Sequence, residues 1–403
     1  MKLDEKKREI QLEAASAWKE SDHIGTVELI TGMGKTFVAL DAMSKEKKGA
    51  KVLFLAETTQ REVDLKKDIE NYQKVFNIDI LTHIDLTFAC YQSACKWERT
   101  KWDLVVSDEI HDSLTPVYSQ FYFRNKFSKL LGLSATVKSS QTYNIEGEEI
   151  SKEVLLDSIA PVCYTYDVGS GQKDDTARKL NLYLIYHRLD PTTKSVKGGT
   201  KKKPFMTTEQ RQYNYLNEAF SKAIYSRKDF LVRIAAANRA RFLYSLPSKV
   251  EVVKKLLKAT KGKSIIFGND LATVEKVTKN VVRAARKGES KPERDKINLK
   301  LRSDFDLGRI RTIGSFKMLK QGANLKRADN VFKMSYYSTL TDFIQRIGRL
   351  RKNGNKRGRV FILITLGTQE EKWFDKMVQD VPLEEFTVHT CRNVDECIKM
   401  LKE

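Results

Sequence analysis

Residues Thr31-Gly32-Met33-Gly34-Lys35-Thr36 follow an apolar run at 26–30 and open a helix-forming stretch at 36–45. A glycine turn between a strand and a helix aims backbone N–H groups at phosphate oxygens. In such a turn Lys35 supplies positive charge to the β- and γ-phosphates, and Thr36 offers its hydroxyl to Mg2+. The spacing GxxxxGK[ST] would require glycine at 29, where the chain has Leu29, so a chance glycine turn remains the alternative reading. Further along, an apolar strand ends in Asp108-Glu109-Ile110-His111. Paired carboxylates at a strand's C-terminal end suit metal-assisted phosphate hydrolysis, one on the Mg2+ shell and the other on the attacking water. A solvated Asp-Glu pair in a turn is the alternative. Another strand, 130–134, ends in Ser134-Ala135-Thr136.

Near the C-terminus, Leu340, Phe343, Ile344, Ile347 and Leu350 recur at helical spacing and make one apolar stripe. Gln345, Arg349 and Lys352 fall on another face of the same helix. That face can present two cations to a γ-phosphate, or it is a solvated basic face.

The elements that must position these residues alternate in type. Strand candidates are 26–30, 51–56, 78–82, 104–107 and 130–134, then 264–268, 311–315, 330–334 and 360–365. Helical periods such as 36–45 and 250–257 lie between them, and 209–257 reads as two or three helices. Such alternation predicts an α/β fold with parallel sheets covered by helices on both faces. The expected domains are a first lobe at 1–157, a linker with a basic loop at 158–207, and a second lobe at 208–403. Stretches 167–179 and 192–204 read as linker and exposed loop, and polar 286–302 as another loop.

With 73 Lys plus Arg against 52 Asp plus Glu, the 403-residue chain carries a net charge of +21. A protein this basic is expected to have a polyanionic partner. Five cysteines, Cys90, Cys95, Cys163, Cys391 and Cys397, form no CxxC pair and no zinc spacing, so reduced thiols are expected. The charged start lacks the apolar stretch of a signal peptide, and no run approaches the ~20 apolar residues of a membrane span. The expectation is a soluble cytoplasmic protein, in the host cytoplasm if the source is viral, with no membrane partner.

Taken in order, these motifs resemble the superfamily 2 helicases of the DExH branch, over nearly the whole chain. Arg8-Glu9-Ile10-Gln11-Leu12-Glu13-Ala14 looks like the adenine-reading segment of that family, with Gln11 in the base-contacting place. Residues 56–61 and Tyr91-Gln92-Ser93 look like segments that touch the nucleic-acid backbone. Leu246-Pro247-Ser248-Lys249 is similar to a pattern of phage UvsW-like and Swi/Snf-like motors. Ile265-Ile266-Phe267 resembles the fourth helicase motif, 317–325 with Gly322-Ala323-Asn324-Leu325 the fifth, and Gln345-Arg346-Ile347-Gly348-Arg349-Leu350-Arg351-Lys352 the sixth. The family usually has arginine where this chain has Lys352, which lacks the bidentate fork of a guanidinium. Lys352 or Arg351 is therefore left open as the second finger.

The resemblance implies two RecA-like lobes, each a mainly parallel sheet with helices on both faces, with ATP and Mg2+ in the cleft between them. It implies an ATP-dependent helicase or translocase, acting on DNA and moving 3′ to 5′. Gln11 would hold the base, and Thr31 to Thr36 the phosphates, with Gly322 and Asn324 also near the nucleotide. Asp108 and Thr36 would serve the metal, Glu109 the water, and Arg349 the transferring phosphoryl. His111 and Gln345 would face each other across the cleft, and Ser134 and Thr136 would couple nucleotide state to lobe closure. Thr58, Gln60, Arg61, Tyr91, Gln92, Lys317 and Asn324 are the expected nucleic-acid contacts. Lys194, Lys197, Lys201, Lys202 and Lys203 form a basic loop that either grips duplex or is a solvated linker. The expected partner is single-stranded, duplex or branched DNA bound by a monomer, with RNA as the alternative polymer and a specificity-giving protein as a further partner. A duplex translocase that leaves strands paired, and a non-catalytic nucleic-acid scaffold, are the rival functions. The scaffold is disfavoured because Lys35, Glu109 and Arg349 are all present.

Overall fold

A computed structural model describes residues 4–137, 141–145, 148–199, 203–316, 328–335, 350, 356–380, 383 and 386–402. Described residues up to Ala177 form one compact unit, and those from Arg178 onward form a second.

The first unit opens with helix α1 (Glu5–Glu20), started by Asp4, whose carboxylate accepts the Lys7 N–H. Then follow β1 (Ile24–Leu29), α2 (Lys35–Ser44), β2 (Lys51–Ala56), α3 (Gln60–Phe76), β3 (Asp85–Cys90), the short α4 (Tyr91–Ala94) and β4 (Lys101–Asp108). After them come α5 (Gln120–Arg124), β5 (Lys126–Ser134), a hairpin of β6 (Thr142–Ile145) and β7 (Glu148–Ser151), α6 (Lys152–Ile159), β8 (Val162–Tyr166) and α7 (Val168–Lys173). The main sheet has the order β3-β2-β4-β5-β1-β8, and every pairing in it is parallel.

Its strands are apolar at successive positions because both faces are covered. Val52, Phe54, Leu104, Val106, Leu131 and Leu133 pack with Ile10, Ala14, Trp18, Val38, Leu65 and Ile69 from α1, α2 and α3. The alternate residues Leu53, Leu55, Val105 and Leu130 pack with Phe121, Tyr122, Leu155, Leu156 and Ile159. Register then aligns the strand ends. Glu28 lies beside Ser134, Leu133 beside Asp108, and Ser107 beside Leu55. One carboxyl edge thus carries the β1–α2 turn, the acidic motif, the Ser-Ala-Thr segment and the start of α3, where open parallel sheets bind ligands.

The second unit contains β9 (Leu180–His187), the hairpin β10 (Val196–Gly199) and β11 (Pro204–Thr207), α8 (Glu209–Tyr225), α9 (Asp229–Tyr244) and α10 (Pro247–Ala259). It continues with β12 (Ser264–Phe267), α11 (Leu271–Val277), β13 (Val281–Val282), α12 (Lys291–Asp306), β14 (Thr312–Ser315), β15 (Asn330–Lys333), β16 (Gly358–Thr365), α13 (Gln369–Asp380), β17 (Thr387–Cys391) and α14 (Val394–Met400). The order is β13-β14-β12-β15-β16-β9-β17, again parallel throughout. The expected class, two mainly parallel α/β lobes, is the one observed.

Several local expectations give way. Residues 78–82 form a turn rather than a strand, because Asp79 accepts hydrogen bonds from Gln73 and Thr82 while Ile80 plugs the core; the strand is β3. The expected loop 286–302 is largely α12, whose inner side is unusually polar: Arg294 and Asn298 are buried and bond the main chain of Val281 and Arg283. The segment 158–207, read as linker and loop, supplies β8 to the first sheet and β9 to the second. The basic stretch after it forms the hairpin β10–β11, with Lys194, Lys197 and Lys203 described and Lys201 and Lys202 outside the described residues.

A buried polar cluster at the end of β9 gives the second lobe a pH dependence. His187 Nε2 lies 2.9 Å from the Thr365 hydroxyl. Burial, aided by the nearby Lys249 charge, lowers its pKa to about 3. Between pH 6.5 and that value the unfolded chain binds a proton that the folded lobe refuses, so stability rises with pH there. It is fully present above the unfolded pKa and drains away below it. The melting temperature of the second-lobe transition is therefore expected to fall between pH 7.5 and pH 5, and to fall less in His187→Gln. Equal slopes in the two proteins would refute the assignment.

Candidate nucleotide site in the first lobe

The β1–α2 turn is built by glycine. Gly32 and Gly34 have φ of +101° and +85°, backbone that L side chains rarely adopt. A Cβ on Gly34 would also stand 2.6 Å from Gln11 Nε2. Gly34 caps α2 without a side-chain hydrogen bond, so the helix's N-terminal end opens onto the turn. Met33 is buried and its carbonyl accepts from Gln11 Nε2 at 2.7 Å, while Thr31 is half-buried.

Gln11 is positioned from behind by a network that its sequence segment does not reveal. Arg8 reaches Gln11 Oε1 at 3.4 Å and forms a two-pronged pair with Asp41, at 2.5 and 2.9 Å. Its guanidinium also lies over the Phe76 ring. Tyr72 donates to Asp41 at 2.6 Å, and burial together with that hydrogen bond pushes its pKa up to about 12. Spacing on α1 could have paired Arg8 with Gln11, but nothing local marks Asp41 or Tyr72 as their support.

Lys35 Nζ donates to Glu109 Oε1 at 2.7 Å. Glu109 sits in the left-handed region at φ 51°, which lifts its carboxylate off the end of β4 toward the turn. Burial works to raise its pKa, but the charges of Lys35 and His111 outweigh burial and hold it below the usual carboxylate range. Its second oxygen, Oε2, is buried without a hydrogen-bond partner and lies 3.6 Å from His111 Nδ1.

His111 Nδ1 also lies 2.8 Å from Ser134 Oγ, which donates to the Thr136 carbonyl at 2.7 Å. The acidic motif and the Ser-Ala-Thr segment are thus in direct contact within this lobe. Glu28 holds the far end of that segment by accepting the Val137 N–H at 3.1 Å. A carboxylate inside an apolar strand was the sequence signal for Glu28, and it went unread.

Two of the expected nucleic-acid contacts are placed elsewhere. Tyr91 is 2% exposed and donates to the Asp108 carbonyl at 2.9 Å, so it braces the acidic motif from inside the core. Arg61 turns into the nucleotide site, where its side chain is 13% exposed. Its Nε donates to Asp108 Oδ2 at 2.5 Å, its Nη2 to Thr36 Oγ1 at 2.7 Å, and its Nη1 to Asp68 at 3.1 Å. Thr58, Gln60 and Gln92 are exposed at the same carboxyl edge. Lys317, Gly322, Asn324, Gln345, Arg349, Arg351 and Lys352 lie outside the described residues. Among the described residues no helix is long and apolar enough to cross a membrane.

Two family models match the chain. Residues 4–139 match the type III restriction enzyme res subunit, and residues 248–354 match the helicase conserved C-terminal domain. Across 378 residues the chain is 25% identical to a protein named DNA 3′-5′ translocase XPB2 from Sulfurisphaera tokodaii, covering 90% of this chain and 82% of that one. Among solved structures, the DNA-bound type ISP restriction-modification enzyme LlaBIII aligns with a TM-score of 0.57 at 16% identity, over 98% of this chain and 31% of that enzyme. The S. cerevisiae protein Dbp5, bound to RNA and ADP BeF3, aligns with a TM-score of 0.57 at 16% identity, over 98% of this chain and 92% of Dbp5. These two likenesses concern the fold. The glycine turn at 31–36 and the acidic pair Asp108-Glu109 lie within the restriction-enzyme match on the first parallel lobe, and the helicase C-terminal match falls on the second, an order of domains that supports the activity of an ATP-dependent helicase or translocase.

Proposed function

We propose that the protein is an ATP-driven motor that moves along DNA. The observation that carries this reading is the convergence of Lys35, Thr36, Asp108 and Glu109 on one carboxyl edge, with Lys35 and Glu109 in contact at 2.7 Å. In this reading the N–H groups of the turn and of the α2 N-terminus take the phosphates of ATP, and Lys35 moves from Glu109 to the β- and γ-oxygens. Gln11, held by Arg8 and Met33, would read the base. Thr36 Oγ1 and Asp108 Oδ2 already converge on a single cation, the Arg61 guanidinium, so this oxygen set suits a hard cation such as Mg2+. Bound there, the metal would neutralise developing phosphate charge. Glu109 accepts a proton from the attacking water, and its unpartnered Oε2 is the oxygen left for that task. The family resemblance leaves to Arg349, with Lys352 or Arg351, the role of a cation for the transferring phosphoryl, and these three lie outside the described residues.

The +21 charge favours a polyanionic track, and the relative named as a DNA translocase favours DNA. The direction in that relative's name, 3′ to 5′, is the direction we adopt. Translocation on duplex without strand separation is the second reading, favoured by the same name. The finer UvsW-like or Swi/Snf-like assignment rests on residues 246–249 alone. ATP hydrolysis should be measured with no polymer and with single-stranded DNA, duplex, a branched fork and RNA. Stimulation by DNA is expected, and displacement of a labelled strand would separate unwinding from duplex translocation. Stimulation by RNA alone would overturn the choice of track.

A further inference from the structure

The nucleotide site contains a cation that the motif pattern does not call for. Arg61 stands at the start of α3, and its guanidinium is shared among Asp108, Thr36 and Asp68 while its carbon sits 5.6 Å from the Phe54 ring centroid. Burial opposes its charge, but Asp108 and Asp68 hold the proton firmly and raise its pKa. A guanidinium does not discharge itself to make room. Two of its three partners, Thr36 Oγ1 and Asp108 Oδ2, are the oxygens read above as serving Mg2+. A divalent ion placed at those oxygens would stand within a few ångströms of the arginine charge, in a partly buried site where such repulsion is poorly screened.

We propose that Arg61 is a built-in counter-cation that holds Thr36 and Asp108 in the nucleotide-free protein and competes with Mg2+ for them. Metal-nucleotide entry displaces the guanidinium, and Asp68 is the partner to which it retreats. Asp68 is suited to this because its bond to Arg61 is the longest of the three and lies on α3 itself. The swap also pulls on the beginning of α3, directly after the exposed residues Thr58 to Gln60. Arg61 is thus a positioning residue whose state reports metal occupancy to the edge where the track is expected. This inference rests on the reading of Thr36 and Asp108 as metal-serving oxygens.

The test is Mg2+-dependent binding of a fluorescent ADP analogue, with no turnover required. In Arg61→Gln the half-saturating Mg2+ concentration is expected to fall by about tenfold, because the competing charge is gone. Arg61→Lys, which keeps the charge but loses the three-way fork, should lower the requirement less than Arg61→Gln, and Asp68→Asn should raise the Mg2+ requirement by removing the retreat. An unchanged or raised requirement in Arg61→Gln overturns the proposal. Should that variant fail to fold, the arginine Nε–H signal of Arg61 in wild-type protein decides, assigned through Arg61→Lys. It should shift when ADP and Mg2+ are added together and not with ADP in chelator; a signal indifferent to the metal overturns the proposal. Failure of the wild-type protein to bind nucleotide under any metal condition would overturn the motor reading too, and so is distinguishable.

Discussion

Replacing Glu109 by glutamine is expected to lower the ATPase rate by about 10²–10⁴-fold while leaving nucleotide affinity within a few-fold. Glutamine keeps the size and can still accept the Lys35 hydrogen bond through its amide oxygen, but it cannot take a proton. The pH dependence should distinguish a base from a mere spacer. Lys35 and His111 hold the Glu109 pKa down against burial. A nucleotide that draws Lys35 onto its phosphates removes the larger of those two charges, so burial gains the upper hand and the Glu109 pKa rises. The carboxylate thereby becomes a better proton acceptor only when substrate is in place. Wild-type turnover at saturating ATP should accordingly lose rate on the acid side, where Glu109 begins to hold its proton, and the residual rate of Glu109→Gln should lack that limb. A glutamine variant within tenfold of wild type would remove Glu109 from the chemistry.

What could be read from the sequence was whatever is local. The phosphate turn, the acidic pair and the Ser-Ala-Thr segment each announce themselves as a strand ending in the right side chains, and parallel register brings those ends to one edge. Arg61 and Tyr91 are expected on the nucleic-acid track only through the family resemblance of the segments 56–61 and 91–93, and a resemblance of short segments carries no information on burial. Their partners are distant in sequence: Thr36 lies 25 residues from Arg61, Asp108 lies 47, and Tyr91 reaches forward across 17 to the Asp108 carbonyl. Burial is a tertiary property, and no spacing rule predicts it. Helix α12 was hidden for the opposite reason, since a helix that buries Arg294 and Asn298 shows no apolar stripe. Strand β9 is an apolar run inside a segment that reads as linker, and only the sheet order shows it between β16 and β17.

The segment Leu246-Pro247-Ser248-Lys249 shows how a motif can serve architecture. Pro247 starts α10, Leu246 is buried, and Lys249 is fully buried against Glu370 with a second hydrogen bond of 2.9 Å to the Leu243 carbonyl. Glu370 in turn accepts from the Thr365 hydroxyl at 2.6 Å, which also meets His187. Burial lowers the Lys249 pKa, and the charge and hydrogen bond of Glu370 oppose that shift. Removing one member strands the other charge in the core, so Glu370→Leu is expected to destabilise the second lobe by about 3–5 kcal/mol. Chemical denaturation followed by the fluorescence of Trp373, which packs beside Leu243 and Leu246, would measure it. Neutralising the pair together should behave differently. Lys249→Met combined with Glu370→Leu replaces two desolvated charges by apolar groups of similar size, and such replacements are often neutral or stabilising by about 1–4 kcal/mol. The double variant is therefore expected to recover most of the loss, with the missing acceptor for the Thr365 N–H and hydroxyl limiting the recovery. A double variant as unstable as the single one would mean that the two charges do not act as a pair, and that Lys249 stabilises the lobe through Leu243 and the start of α10 instead.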